Sequence, residues 1–229
     1  MKLFLCGGGS GNQTNFAYKK FDNVIDKSKP ILYIPLALDE KTYDSCNKWF
    51  SNEVRYFGSP KFKMVRSSLE LSKIDFNKYS ALVIGGGNTF KLLDELNQNS
   101  NIIKIQNYLK NDGVIFAGSA GAIIFGKNID SCILDDDKSN YSKYVDGLNF
   151  LNGYSILCHL SNVGFKKNKE YLIEYSKKYK TIYLPEEDVI FISDNKISFI
   201  GNKKYAIFNN QNCNYHNSAN FKKDINNEN

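Results

Sequence analysis

Residues 113–122 read Gly-Val-Ile-Phe-Ala-Gly-Ser-Ala-Gly-Ala. The apolar run at 114–116 suits a buried strand, and it stops at Ser119, a serine flanked by residues with almost no side chain. A helix-compatible stretch, 120–125, follows directly. Strand, serine and helix in this order form the pattern of a nucleophile elbow, in which a strained turn lifts the hydroxyl to the edge of the sheet. Small neighbours are needed because the backbone approaches closely on both sides. The strict pattern asks for glycine two places before the serine, where this chain has Ala117. A plain small-residue turn is the competing reading of the same ten residues.

Outward from the elbow, further short apolar runs at 3–6, 31–36 and 81–84 read as buried parallel strands. Helical patterns at 90–96 and 102–109 lie between them. Such alternation predicts right-handed βαβ units and a mostly parallel sheet covered on both faces. Ligands bind beyond the carboxyl ends of strands in folds of this kind. The glycine clusters at 7–9 and 85–87 fall at such ends, as does Ser119.

Beyond the elbow, residues 128–150 are polar and aspartate-rich without a period, which predicts irregular structure lining a site. A lysine- and tyrosine-rich amphipathic helix is expected over 167–179, with strands at 181–184, 189–193, 196–200 and 205–208. Turns at Asp194-Asn195 and Gly201-Asn202 make these a small antiparallel C-terminal meander. The expected organisation is one α/β domain over 1–208 and a polar, Asn-rich, loosely ordered tail over 209–229.

A hydrophobic content of 42% and a charged content of 24% are those of a soluble globular protein. The net charge of +6 comes from scattered lysines, with only Arg55 and Arg66 as arginines, so no nucleic-acid partner is expected. No apolar run approaches the roughly 20 residues of a membrane-spanning helix, so no membrane partner is expected either. Five cysteines without CxxC spacing suggest neither a disulfide framework nor zinc. The start, Met-Lys-Leu-Phe-Leu-Cys-Gly, reads as a first strand and not as a signal peptide, which points to the cytoplasm.

A serine hydroxyl attacks a carbonyl only when a base accepts its proton. Of two histidines, His159 ends the apolar run 155–158, whereas His216 lies in the polar tail, so His159 is the candidate base. Its other nitrogen needs an orienting carboxylate, and Glu186, Glu187 and Asp188 all follow a strand directly. An oxyanion hole would take one N–H from Ala120 and a second from the loop Gly85-Gly86-Gly87-Asn88-Thr89. The alternative for that loop, a phosphate-binding turn, lacks both G-x-G-x-x-G and G-x-x-x-x-G-K-[ST], and so does Gly7-Gly8-Gly9-Ser10-Gly11.

Together, Gly-Gly-Gly-Asn-Thr-Phe (85–90), Gly-Ser-Ala-Gly-Ala (118–122), His159 and Leu-Pro-Glu (184–186) resemble peptidase family S51, which includes aspartyl dipeptidases of the peptidase E type and cyanophycinases. The resemblance runs from residue 3 to about 208. It implies a three-layer α/β/α sandwich of the class I glutamine amidotransferase-like (flavodoxin-like) kind and a triad of Ser119, His159 and Glu186. It implies an oxyanion hole from Gly87 and Ala120, a small peptide as substrate, and no metal or organic cofactor. Asn88, Thr89, Asp130 and Lys166 are the candidate substrate contacts. The chain departs from peptidase E at Gly118, where that enzyme has tryptophan, and at Cys158, where proline is usual. It also lacks the arginine that peptidase E carries after its histidine, leaving Lys166, Lys167 and Lys169 as substitutes. The implied activity is a serine exopeptidase for dipeptides or short peptides, with an N-terminal aspartate as the candidate first residue, working through an acyl-enzyme. A cyanophycinase-like β-aspartyl hydrolase and a non-catalytic binding module of the same fold are the alternatives.

Overall fold

Short apolar segments alternate with amphipathic ones, and the computed structural model, which describes residues 1–58, 61–141, 144–194 and 196–217, has strands and helices in the same alternation. The strands are β1 (Lys2–Cys6), β2 (Ile31–Ile34), β3 (Phe62–Met64), β4 (Ala81–Ile84), β5 (Val114–Gly118), β6 (Ser155–Leu160), β7 (Thr181–Pro185), β8 (Val189–Ser193), β9 (Lys196–Ile200), β10 (Lys204–Asn209) and β11 (Asn212–Asn217). The helices are α1 (Asn15–Asp22), α2 (Tyr43–Glu53), α3 (Ser68–Lys73), α4 (Thr89–Asn97), α5 (Asn101–Lys110), α6 (Ala120–Ile123) and α7 (Asn162–Tyr175).

The larger sheet has the order β3-β2-β4-β5-β1-β8-β9. Strands β3, β2, β4, β5 and β1 pair in parallel, and β8 and β9 add to the β1 edge in antiparallel fashion. Every residue of β2 (Ile-Leu-Tyr-Ile) and β4 (Ala-Leu-Val-Ile) is buried. Strands with no polar face are stable only when covered on both sides, and the result is the expected three-layer α/β/α sandwich. Aromatic rings fill much of the interior: Phe4 lies 5.5 Å from Phe21, 5.8 Å from Phe116 and 4.4 Å from Phe191, centroid to centroid. No helix of the described residues is long and apolar enough to cross a membrane.

The C-terminal strands are antiparallel, but they do not form one meander. Strands β8 and β9 complete the larger sheet, while β7, β10 and β11 join β6 in a second sheet of order β11-β10-β7-β6, with β6 and β7 parallel. Hydrophobic period identifies each strand but carries no information on its partner, so sheet membership is decided by tertiary packing. The tail differs as well: residues 212–217, expected to be loosely ordered, form β11, paired along its length with β10. Tyr205 and His216 stack with ring centroids 5.5 Å apart, which places the second histidine in a strand. Asn195 of the expected turn and residues 218–229 of the tail lie outside the described residues.

Helix α7 begins five residues before the expected 167 because Ser161 caps it, its hydroxyl accepting from the Gly164 N–H at 3.1 Å. It stops before 179 because the β10–β11 turn occupies its end. The Asn210 N–H donates to the Ser176 carbonyl (3.2 Å), and the Gln211 N–H to the Ser176 hydroxyl (2.9 Å).

Candidate active site

Ser119 joins β5 to α6 with φ 53° and ψ −119°, a backbone conformation that L-residues avoid. Strain of about 1–3 kcal/mol at such a residue persists only where the surroundings over-determine it. Here the Ser119 N–H donates to the Cys6 carbonyl at 3.0 Å, while its own carbonyl accepts from Ala122 (2.8 Å) and Ile123 (3.0 Å) in the first turn of α6. A side chain at Gly121 would collide with the Ile84 carbonyl, so α6 lies directly on the end of β4. The elbow therefore holds even though Ala117 replaces the expected glycine. The N–H of Ala120 opens the helix and has no intrahelical acceptor.

His159 comes from the other sheet. The β6–β7 pairing shifts register between Leu157 and Leu160, and His159 sits in this irregularity with φ 62°. A bulge re-aims one side chain out of a strand's alternation. Here it brings His159 Nε2 to 2.7 Å from Ser119 Oγ, with His159 Nδ1 3.4 Å from Glu186 Oε1. The second separation exceeds a short hydrogen bond, and such contacts often tighten only when substrate arrives. Both the histidine and Glu186 are half exposed.

Of the three acids after β7, only Glu186 faces the histidine. Glu187 pairs with Lys203 at 3.4 Å. Asp188 is buried, its carboxylate accepting from the Lys203 N–H at 2.9 Å. Burial pushes the Asp188 carboxyl up to about 6, against the opposing pull of the Lys203 and Asn202 N–H groups. A carboxyl whose folded value is raised binds its proton more readily in the native state, so its contribution to stability falls as pH rises from about 4 to about 6. Asp188→Asn should flatten this dependence: relative to the variant, the wild type should lose about 2 kcal/mol of unfolding free energy between pH 4 and pH 7. Urea unfolding at several pH values measures the difference, and parallel curves for the two proteins would contradict it.

The sequence reading placed the glycines at 7–9 at a strand end and weighed them against a phosphate loop, but gave them no part in holding the site residues. They tie the histidine segment to the acidic segment of the site. The Gly7 carbonyl accepts from the His159 N–H (3.1 Å), the Gly7 N–H donates to the Asp188 carbonyl (3.0 Å), and the Gly9 N–H donates to the Glu186 carbonyl (2.5 Å). Gly8 has φ +134°, and a Cβ there would stand 2.2 Å from His159 Cε1. The only signal in the sequence is three glycines directly after a strand, and it does not tell what approaches them.

A cavity of about 830 Å³ opens at Ser119 and His159. Gly86 and Gly87 line it, and a Cβ on Gly86 would stand 3.0 Å from Ser119 Cβ. Gly87 has φ +134°, and a side chain there would strike the Ala37 carbonyl. The expected substrate contacts are placed otherwise. Asn88 caps α4, accepting from the Lys91 N–H at 2.9 Å, and donates to the Asp137 carbonyl. The Thr89 N–H is taken by Asp136 at 2.8 Å, and its side chain is buried. Asp130 forms an ion pair with Lys138 at 2.8 Å, and Lys166 is exposed on α7; neither lines the cavity. Asp135 and Asp136 line it instead. They belong to the same aspartate-rich loop, where sequence does not distinguish one acid from the next.

Two thiols lie beneath the elbow. Cys158 Sγ is 3.7 Å from the Ser119 carbonyl, and Cys6 Sγ is 3.7 Å from the Glu186 carbonyl. Burial pushes the Cys6 thiol up to about 11 and the Cys158 thiol well above its ordinary value. A raised thiol value keeps both sulfurs in the protonated, weakly nucleophilic form.

The sequence profile of Peptidase family S51 matches residues 3–200. Peptidase E of Haemophilus influenzae is 30% identical over 103 residues, which are 45% of this chain and 46% of the relative, so the match spans about half of its length. A crystal structure described as peptidase E from Listeria monocytogenes EGD-e aligns with a TM-score of 0.69 at 22% identity, over 86% of this chain and 96% of that one. A peptidase from an acI-B1 actinobacterium aligns with a TM-score of 0.71 at 18% identity, over 94% and 93%. At these identities the two structures speak for the fold, and the profile speaks for the family. The chain belongs to peptidase family S51, a family of peptidases.

Proposed function

We propose that the protein is a serine exopeptidase that hydrolyses dipeptides or short peptides through an acyl-enzyme, with Ser119, His159 and Glu186 as its triad. The observation that carries this reading is the 2.7 Å contact between Ser119 Oγ and His159 Nε2 at a strained elbow open to a cavity. His159 Nε2 takes the hydroxyl proton as Ser119 Oγ bonds to the scissile carbonyl carbon. The N–H groups of Gly87 and Ala120 receive the negative charge that develops on the carbonyl oxygen. The C–N bond then breaks as His159 returns its proton to the leaving amine, and water cleaves the resulting ester by the same steps. Glu186 accepts from His159 Nδ1–H, fixing the tautomer and stabilising the imidazolium.

A cavity of this volume suits a ligand the size of a small peptide. Five free thiols, four of them buried, support residence in a reducing compartment, the cytoplasm.

A fluorophosphonate probe followed by peptide mapping tests the reading, because an unactivated serine hardly reacts. Labelling at Ser119 together with dipeptide hydrolysis is the expected result. Labelling with cleavage of β-linked aspartyl dipeptides alone would favour the cyanophycinase-like alternative. The absence of both labelling and turnover would favour the binding module. Within the triad, Glu186→Gln should lower kcat by about 10²–10⁴-fold, whereas Glu187→Gln should stay close to wild type. Equal losses in the two variants would remove Glu186 from its role.

A further inference from the structure

The cavity beside Ser119 has an unusual lining for a site that would take an acidic residue. Tyr18, Tyr33, Trp49, Phe50, Phe57 and Phe116 are among the residues that line it, together with Leu38, Cys46 and Val83. Trp49 is 45% exposed at the surface, while Tyr33 and Phe50 are 2% and 0% exposed, so the aromatic wall leads from solvent into the core. Among the described residues that line the cavity none is lysine or arginine, and the two charged ones, Asp135 and Asp136, are acidic.

Three cations on neighbouring elements already have partners. Lys167 pairs with Asp135 at 2.7 Å, and Arg66 with Asp44 at 2.8 Å. Lys91 donates to the Leu38 carbonyl and pairs with Asp39 at 3.3 Å. The Tyr18 hydroxyl, which could otherwise donate to a carboxylate, already donates to the buried Glu53 at 3.0 Å. A substrate carboxylate entering this wall would lose its water, find no counter-charge and approach other carboxylates. An apolar side chain would gain by the same desolvation.

We propose that this site selects a peptide bearing a large apolar or aromatic side chain next to the scissile bond, and discriminates against an aspartyl or glutamyl one, with the wall around Tyr33, Cys46, Trp49 and Phe50 as its specificity pocket. The proposal rests on the serine-peptidase reading of Ser119. Discrimination follows from the cost of an unpaired charge, which exceeds what a change of one methylene achieves in an apolar pocket.

The test compares kcat/KM for Phe-Leu, Leu-Leu, Ala-Leu, Asp-Leu and Glu-Leu, and for the reversed set Ala-Phe and Ala-Asp, in wild type and Ser119→Ala. Ser119-dependent turnover of an apolar member at least about 100-fold above its acidic counterpart is expected. Calorimetric binding of Phe-Leu and Asp-Leu to Ser119→Ala should show the same order without turnover. Cys46→Phe, which fills the wall, should reduce Phe-Leu cleavage about tenfold more than Ala-Leu cleavage. The surface variant Ser45→Trp, at the mouth of the same cavity, should act in the same direction if Cys46→Phe does not fold. Ser119-dependent cleavage that favours Asp-Leu would overturn the specificity while leaving the serine mechanism intact. An apolar preference untouched by both filling variants would overturn the assignment of the wall. If Ser119 neither reacts with fluorophosphonate nor supports turnover of any member, the mechanism and the specificity fall together.

Discussion

Ser119→Ala should lower kcat/KM on any peptide the enzyme cleaves by about 10³–10⁶-fold, with the thermal midpoint of unfolding nearly unchanged. The loss is large because the hydroxyl is the only atom in the proposed mechanism that bonds to substrate, and His159 has no other proton to take from the enzyme. The midpoint should hold because the bonds that fix the elbow are made by the Ser119 N–H and carbonyl, which alanine retains. Ser119→Gly separates strain from chemistry. It should be as inactive as the alanine variant yet more stable than it by about 1 kcal/mol, since glycine adopts positive φ without penalty. Turnover near the wild-type level in either variant would end the serine mechanism.

Gly8→Ala should reduce kcat/KM by about 10²-fold or more in a protein that still folds. The new methyl would stand 2.2 Å from His159 Cε1 and 2.7 Å from Nδ1, so the ring must leave its position between Ser119 and Glu186. The backbone at φ +134° adds strain for any L-residue, which should lower the midpoint as well. The expected signature is a fall in kcat and slower fluorophosphonate labelling, with circular dichroism like that of wild type. Wild-type labelling kinetics in Gly8→Ala would show that the glycine does not position the histidine.

These two residues also mark how far the sequence could be read. Ser119 was legible because the elbow is local: strand, serine, small neighbours and helix lie within about a dozen residues, and the chain holds only two histidines to serve it. Strands β2, β4 and β5 were legible for a similar reason, since apolar runs without a polar face suit buried parallel strands. Gly8 was not, because its demand for glycine comes from the ring of His159, far along the chain and in another sheet. Asp130 was expected near substrate while Asp135 and Asp136 line the cavity, a choice made by the path of an aperiodic loop. The division of β7 to β11 between two sheets was hidden because alternation within a strand does not name its neighbour.

Ser119 and His159, the proposed nucleophile and base, stand on different sheets, and Glu186, the proposed acid, stands on the short segment that crosses from one to the other. A nascent chain that has formed only the larger sheet carries a serine without its base. One that has formed only the smaller sheet carries a base with nothing to deprotonate. Under the proposed mechanism, hydrolytic competence is therefore an all-or-none property of the finished molecule. Recovery of turnover during refolding would time one event, the docking of the two sheets, more sharply than any signal from helix or strand content.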